Sequence, residues 1–329
     1  MTLRLHGDTL VRPGELDFAV NVWPGPRPTG LERELRRALR GTSYPAQHEA
    51  REAIAARHGC SADEVLLLNG ACELFWLLAH SLRPTRAACV HPSFTEPEAA
   101  LRAVGTEVER VFRESGRWSF DPALVPADAE VVVLGNPNNP TGALDPAATI
   151  LEVLRPERIV VVDESFMDFA GDRESLGGAV RPGLLVVRSL TKLWSLAGIR
   201  AGYALGEPEL VGLLDAQRQP WSVNAAACAA LRWCARDHEA PARVAAEVAA
   251  ARAALLASLA GKRVWPSAAN FLLVRVPDGP AVVEGLRRRG IAVRPAASFP
   301  GLDADYFRIA VRGEPDDSAL VAALAEVCS

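Results

Sequence analysis

Three short aliphatic runs limit what this chain can fold into: VVVLG at 131–135, IVVV at 159–162 and LLVV at 184–187. None alternates apolar with polar residues, so each reads as a strand buried on both faces. Further strands are expected at 65–68, 87–90 and 107–112. Helical patterns stand between them at 31–39 and 49–58, in a strongly apolar run ending near residue 82, and at 96–104. Strand and helix keep alternating, which argues for a largely parallel sheet covered on both faces. Ligands of such sheets sit at the carboxyl ends of the strands. Asn69, Asn139, Asp163 and Lys192 all follow strand ends, so one crevice can collect them.

After residue 205 the pattern changes. Helices are expected at 208–216 and 224–236, then a long alanine-rich one at 241–259, a composition that is intrinsically helical. Strands at 270–276, 291–294 and 307–311 alternate with helices at 280–289 and 316–327, the pattern of a smaller α+β lobe. A chain of 329 residues exceeds the usual size of a single core. The expected division is an N-terminal arm at 1–28, a large domain at 29–222 and a small C-terminal domain at 223–329. The proline density from Pro24 to Pro28 makes the arm extended rather than packed.

Composition narrows the function classes. The net charge is −4 and no basic block occurs, which argues against a nucleic-acid or membrane-surface partner. No apolar run is long enough to span a membrane, and the first residues, MTLRLHGD, lack the hydrophobic segment of a signal peptide. The six cysteines, at 60, 72, 89, 228, 234 and 328, form no CxxC and no ligand-like cluster. Reduced, buried thiols in a cytoplasmic protein without a metal are expected. No GxGxxG follows the early strands and no GxxxxGK[ST] occurs, which speaks against a nucleotide-binding protein or dehydrogenase.

The chemistry is concentrated in VRSLTKLWSLAGIRAGY, residues 187–203. Lys192 and Lys262 are the only lysines of the chain. Ser189, Thr191 and Lys192 stand on the turn after a buried strand, and Arg200 opens the next apolar run. An aldehyde cofactor bearing a phosphate needs an amine for a Schiff base, and hydroxyls and a guanidinium for the phosphate. NGACE at 69–73 joins a strand to a helix N-terminus, a geometry that binds phosphate through backbone N–H groups. NPNNPTG at 136–142 has little conformational freedom and can aim an asparagine amide at a fixed point. Singly, each feature also has an ordinary reading: a solvated lysine, a plain strand-to-helix turn, a core phenylalanine at Phe94, a surface salt bridge at Arg308.

SLTK followed by GIR, NPNNPTG, VVDES and FRIAV, in this order between Tyr44 and Arg312, together resemble the class I/II aminotransferases. These are pyridoxal 5'-phosphate enzymes of aspartate-aminotransferase-like fold. The resemblance implies an α/β large domain with a mostly parallel sheet plus a smaller α+β domain. It implies that Lys192 carries the cofactor as a Schiff base and that Asp163 pairs with the pyridinium nitrogen. Asn139 is similar to the amide that meets the ring hydroxyl, and Phe94 to the aromatic that stacks on the ring. Gly70, Ala71, Cys72, Ser189, Thr191 and Arg200 match the phosphate cup. Tyr44 resembles a tyrosine that reaches the neighbouring subunit's phosphate, which implies a homodimer. Arg308 resembles the arginine that clamps the carboxylate of a small amino-acid substrate.

One position departs from the family. Where most aminotransferases have a tyrosine three residues after the aspartate, this chain has Phe166. The missing hydrogen bond is worth roughly 1.5–3 kcal/mol. DESFMDF, the N-terminal HG before LDFAVNVWPGP and the closing FPGLDADYFRIAVR resemble a branch near histidinol-phosphate aminotransferase, the threonine-phosphate decarboxylase of cobalamin biosynthesis. That branch implies an arm, with His6 and Asn21, that lies over the substrate, and Arg294 and Arg312 as further anion ligands. Asp8 stands where a second glycine is usual, and its charge would repel a substrate phosphate. The two expected activities are thus decarboxylation of threonine phosphate and transamination of the histidinol-phosphate type.

Overall fold

The aliphatic runs lie side by side in the middle of one sheet. The structure, a computed structural model, describes residues 3–178 and 180–328. The chain begins with β1 (Leu16–Asp17), α1 (Thr29–Arg40), α2 (Gln47–His58) and β2 (Val65–Asn69). Next come α3 (Glu73–Leu82), β3 (Arg86–His91), α4 (Glu96–Ala103), β4 (Glu107–Phe112) and β5 (Val131–Gly135). They are followed by α5 (Ala147–Leu151), β6 (Ile159–Asp163), β7 (Leu184–Ser189) and β8 (Ala201–Leu205). The C-terminal part contains α6 (Pro208–Asp215), α7 (Ala225–Arg236), α8 (Glu239–Ser258), β9 (Arg263–Val264) and β10 (Phe271–Arg275). It closes with α9 (Gly279–Arg288), β11 (Ile291–Ala292), β12 (Arg294–Pro295), β13 (Tyr306–Ala310) and α10 (Asp316–Val327).

The large sheet has the order β2-β8-β7-β6-β5-β3-β4. Strands β3 to β7 pair in parallel, and β8 runs antiparallel to both β7 and β2. The period of two sorts the aliphatic residues cleanly. Val131, Val133, Val161, Leu185 and Val187 share one cluster with Leu74, Leu78, Leu101 and Leu210 of α3, α4 and α6. Val132, Leu134, Val160, Val162 and Val186 share the other with Phe120 and Ile150. A strand covered on both faces needs no polar alternation, which is why these runs have none.

A second, antiparallel sheet has the order β12-β13-β10-β9. The strand expected at 291–294 splits. Ile291 and Ala292 pair in parallel with β1 of the arm, while Arg294 and Pro295 pair with β13. The arm is therefore packed over part of its length, contrary to the extended form expected from its prolines. Phe18 and Ala19 are fully buried, and Phe18 is hydrogen-bonded to Ala292 and Ala310 at 2.8 and 2.9 Å. The prolines restrict only residues 24–28; the LDFAV segment before them supplies apolar side chains and free amides. A second difference lies at Cys328, which is exposed, whereas Cys89, Cys228 and Cys234 are buried and Cys60 and Cys72 half-buried; all six are free thiols.

One hydrophobic cluster runs from Leu31 and Ile54 through Val65 and Tyr203 to Phe271, Phe307 and Leu320, so both sheets share it. Among the described residues no helix is long and apolar enough to cross a membrane, and no cluster of His, Cys, Asp or Glu side chains could hold a metal ion.

Candidate active site

The carboxyl ends of β5, β6 and β7, the start of α3, the arm and the second sheet enclose a cavity of about 620 Å³. Lys192 stands on its floor, directly after Thr191, in the loop between β7 and the antiparallel β8. Its backbone carbonyl accepts from Trp23 N–H at 2.9 Å, which ties the loop to the arm. Burial brings the ammonium down to about 8, helped by the positive charge of Arg308 and opposed by Asp163. The lysine is thus poised near neutrality to act as a nucleophile. Its ammonium lies 5.9 Å from the Phe166 ring centroid, and Phe166 meets Phe271 edge-on at 5.0 Å.

Asp163 ends β6. Burial pushes its carboxyl up, although Ser165 donates to Oδ1 from both N–H (3.0 Å) and hydroxyl (2.5 Å). A buried carboxylate with so few donors suits a cationic partner. The asparagine loop divides its labour. Asn136 and Asn138 are buried braces: Asn136 exchanges hydrogen bonds with Asp145, and the Asn138 amide donates to Pro92 O and Thr141 Oγ1. Asn139 alone of the three lines the cavity, where its Oδ1 accepts from Arg308 at 2.5 Å. Its amide N–H₂ makes no protein hydrogen bond among the described residues.

A cradle opens opposite. Ser189 and Thr191 place their hydroxyls 2.7 Å apart. Gly70 has φ +85°, open to glycine at little cost, and a Cβ there would run into the Arg200 guanidinium. A Cβ on Gly202 would stand 2.6 Å from the Ala71 amide. The two glycines thus let a guanidinium, two hydroxyls and a helix N-terminus converge, a donor set for a phosphate dianion. Burial raises the Cys72 thiol to about 12, so it is no nucleophile. Phosphate cradle, Lys192, Asp163 and Phe94 together fit pyridoxal phosphate.

The remaining wall is cationic. Arg294 and Arg308 are directly opposed across the β12–β13 pair and both are buried. Burial lowers Arg308 to about 9, with Arg294 adding to the effect, and lowers Arg294 to about 10. Arg308 donates to Ala19 O at 2.5 Å and lies 5.3 Å from the Phe271 ring. Arg294 donates to Leu5 O and Ser298 Oγ, both at 2.7 Å, and stacks over Phe299.

Of the residues singled out in the sequence, the cavity gathers Ala71, Cys72, Phe94, Asn139, Asp163, Phe166, Ser189, Thr191, Lys192 and Arg200. It also gathers His6, Asn21, Arg294 and Arg308, and Asp8 beside them. Gly70 supports the cradle from behind. Arg312 is not brought in: its guanidinium is taken up by the carbonyls of Asp17, Val20 and Val22 and by the Asp17 carboxylate at 3.1 Å. Tyr44 also lies outside, exposed and stacked on Trp221 at 4.2 Å. Asn69 does not reach the cavity; its amide is capped by Glu73. Sequence reasoning missed Glu96, Trp76, Ser165 and Phe299. The DES sequence at 163–165, a serine two residues after the aspartate, was a signal for Ser165; nothing local marked the other three.

The family model for aminotransferase class I and II matches residues 16–325. The chain is 46% identical over 332 residues to a histidinol-phosphate aminotransferase of Mycobacterium tuberculosis, covering 98% of this chain and 90% of that protein. It is 32% identical over 331 residues to the threonine-phosphate decarboxylase of Salmonella typhimurium, covering 95% and 91%. The solved histidinol-phosphate aminotransferase of Clostridium acetobutylicum superposes with a TM-score of 0.88 at 26% identity, covering 95% of this chain and 98% of that one.

Proposed function

This chain belongs to the class I and II aminotransferases, pyridoxal-phosphate-dependent enzymes, and from that premise we propose that it acts on a small amino acid bearing a second anion, decarboxylating threonine phosphate. When bound, pyridoxal phosphate supplies the electron sink that accepts the electron pair of a bond broken at the substrate Cα. The residues of the chain do the rest. Lys192 offers its amine to the cofactor aldehyde and moves the proton at Cα. Asp163 keeps the ring nitrogen protonated, the Asn139 amide meets the ring oxygen, and Phe94 stacks on the ring. Residues 70–72, Ser189, Thr191 and Arg200 hold the cofactor phosphate.

The observation that carries the substrate reading is the Arg294–Arg308 pair. Like charges directly opposite across two strands are destabilising, and here both are also removed from water. Two anions on the ligand relieve that cost. Threonine phosphate presents a carboxylate to Arg308 and a phosphate to Arg294 and His6. Histidinol phosphate has no carboxylate and would leave one guanidinium facing none. In the proposed reaction the bond from Cα to the carboxylate breaks, carbon dioxide leaves, and Cα takes up a proton. A second reading, transamination of the histidinol-phosphate type, is favoured by the name of the Mycobacterium tuberculosis relative.

Carbon dioxide release from threonine phosphate decides between them. Stoichiometric release without any oxo-acid acceptor supports decarboxylation; strict dependence on an acceptor overturns it. Arg308→Ala is expected to weaken every amino-acid substrate, and Arg294→Ala phosphorylated ones selectively, each by roughly 2–5 kcal/mol in kcat/KM. Equal losses for Arg294→Ala on phosphorylated and unphosphorylated substrates would remove the second-anion site. A homodimer belongs to the same proposal, since the exposed Tyr44 is free to serve a neighbouring copy.

A further inference from the structure

Glu96 is a buried carboxylate on the wall of a cavity whose proposed ligands are anions, and the chemistry above makes no use of it. It opens α4, where the helix dipole favours a negative charge. It accepts from His6 Nε2 at 2.7 Å and from Trp76 Nε1 at 3.0 Å, and the hydrogen bond from His6 leads in holding it below the usual carboxylate range. Two acceptors would repel at 2.7 Å, so the proton of His6 sits on Nε2. Nδ1 then has no protein hydrogen bond among the described residues.

The same short segment is held elsewhere. The Thr95 hydroxyl donates to Leu3 O, and Arg294 donates to Leu5 O at 2.7 Å. Gly7 lies so close to Ala19 O that a Cβ on it would collide. Residues 3–8 thus form a strap across the cavity, tied to the start of α4 on one side and to β12 on the other. Of these ties, the one at Glu96 holds a side chain of the strap, His6, where the other two hold its carbonyls.

We propose that Glu96 is a positioning residue that sets His6 and the strap against the second anion of the substrate, and so confers selectivity for phosphorylated amino acids. The inference rests on the functional reading above and assigns that site its organising side chain. Substitution of Glu96 should act on recognition of the second anion while leaving the Lys192 chemistry intact.

The test uses holoenzymes of wild type, E96A and E96Q, with the visible band of bound cofactor as the check on folding. Steady-state kinetics are measured with threonine phosphate and with threonine, and amide hydrogen exchange is followed over residues 3–10. E96A is expected to raise KM for threonine phosphate about twentyfold, with kcat and the KM for threonine each within about threefold. Exchange over 3–10 should quicken. His6 and Trp76 donate to different oxygens of Glu96, so E96Q, with one acceptor oxygen, can keep the bond from His6 but not that from Trp76 in the same geometry, and should recover part of the loss. Should E96A lose the cofactor band, E96D, one methylene short of His6, carries the same expectations at about fivefold. Equal rises in KM for both substrates, or unchanged exchange in the folded variant, would overturn the proposal. If wild type turns over no phosphorylated substrate, the functional reading fails separately, and exchange alone decides whether Glu96 holds the strap.

Discussion

At the scale of single residues the site is governed by desolvation. Lys192 is one of two lysines in the chain and the only one placed among buried neighbours at a sheet end. Burial and the nearby guanidinium of Arg308 bring it to about 8. The protonated amine cannot attack an aldehyde, so the rate of cofactor capture by the cofactor-free protein should rise about tenfold per pH unit below 8 and level off above it. An ordinary lysine would keep rising to beyond pH 10. Stopped-flow absorbance from pH 6 to 10 checks this, and Lys192→Ala should leave no borohydride-reducible adduct on the chain at any pH. Asp163 is the complement: its carboxyl is pushed up by burial, so a cationic ring nitrogen is the partner that makes its charge stable there.

At the scale of elements the arm changes most from its sequence. Leu16 and Asp17 are registered on Ile291 and Ala292 in a two-stranded sheet of their own, and Phe18 is hydrogen-bonded to both Ala292 and Ala310, the last residue of β13. Arg312 follows β13 and gathers three arm carbonyls in its planar fork, a geometry that lysine cannot reproduce. Arg312→Ala should therefore lower stability by about 3 kcal/mol, and Arg312→Lys should recover little of it. Urea unfolding measures the loss, and faster amide exchange over residues 16–22 locates it. A stability equal to wild type would mean that the arm is held by Phe18 packing alone. The start of α4 is a second such element, where Thr95 and Glu96 reach the strap from the far side of the cavity.

For the whole molecule, the hydrophobic cluster common to both sheets bears on the proposed division at residue 222. Helix α7, beyond that boundary, packs on α1, α2 and β8. Limited proteolysis tests the division: cleavage near 222 should release a stable C-terminal fragment if the boundary is a true one. The proposed homodimer is a property of the same scale. Tyr44 and Trp221 are stacked in the open, with Leu39 also exposed. Sedimentation equilibrium should give twice the chain mass of 35.2 kDa. Tyr44→Ala should weaken cofactor retention with little change in the unfolding of the subunit. A fully active monomer would contradict this arrangement.

What the sequence determined by itself is the scaffold and the floor of the site. Unbroken aliphatic runs specify strands buried on both faces, and the residues that follow them, Asn139, Asp163, Ser189, Thr191 and Lys192, are carried to one crevice because parallel strands end at one edge. These are local signals: each lies within a few residues of the strand that places it. What only the tertiary structure decided depends on contacts between distant segments. Arg294 and Arg308 oppose each other because of strand register, Arg312 is drawn away by carbonyls nearly 300 positions earlier, and Glu96 meets His6 across 90 residues of chain. Arginines 294, 308 and 312 look alike in sequence, since all three stand at or beside short strands near the C-terminus. Hydrogen-bond donors are committed by whichever acceptors the folded chain brings within about 3 Å, and that choice is made by packing rather than by neighbours in sequence.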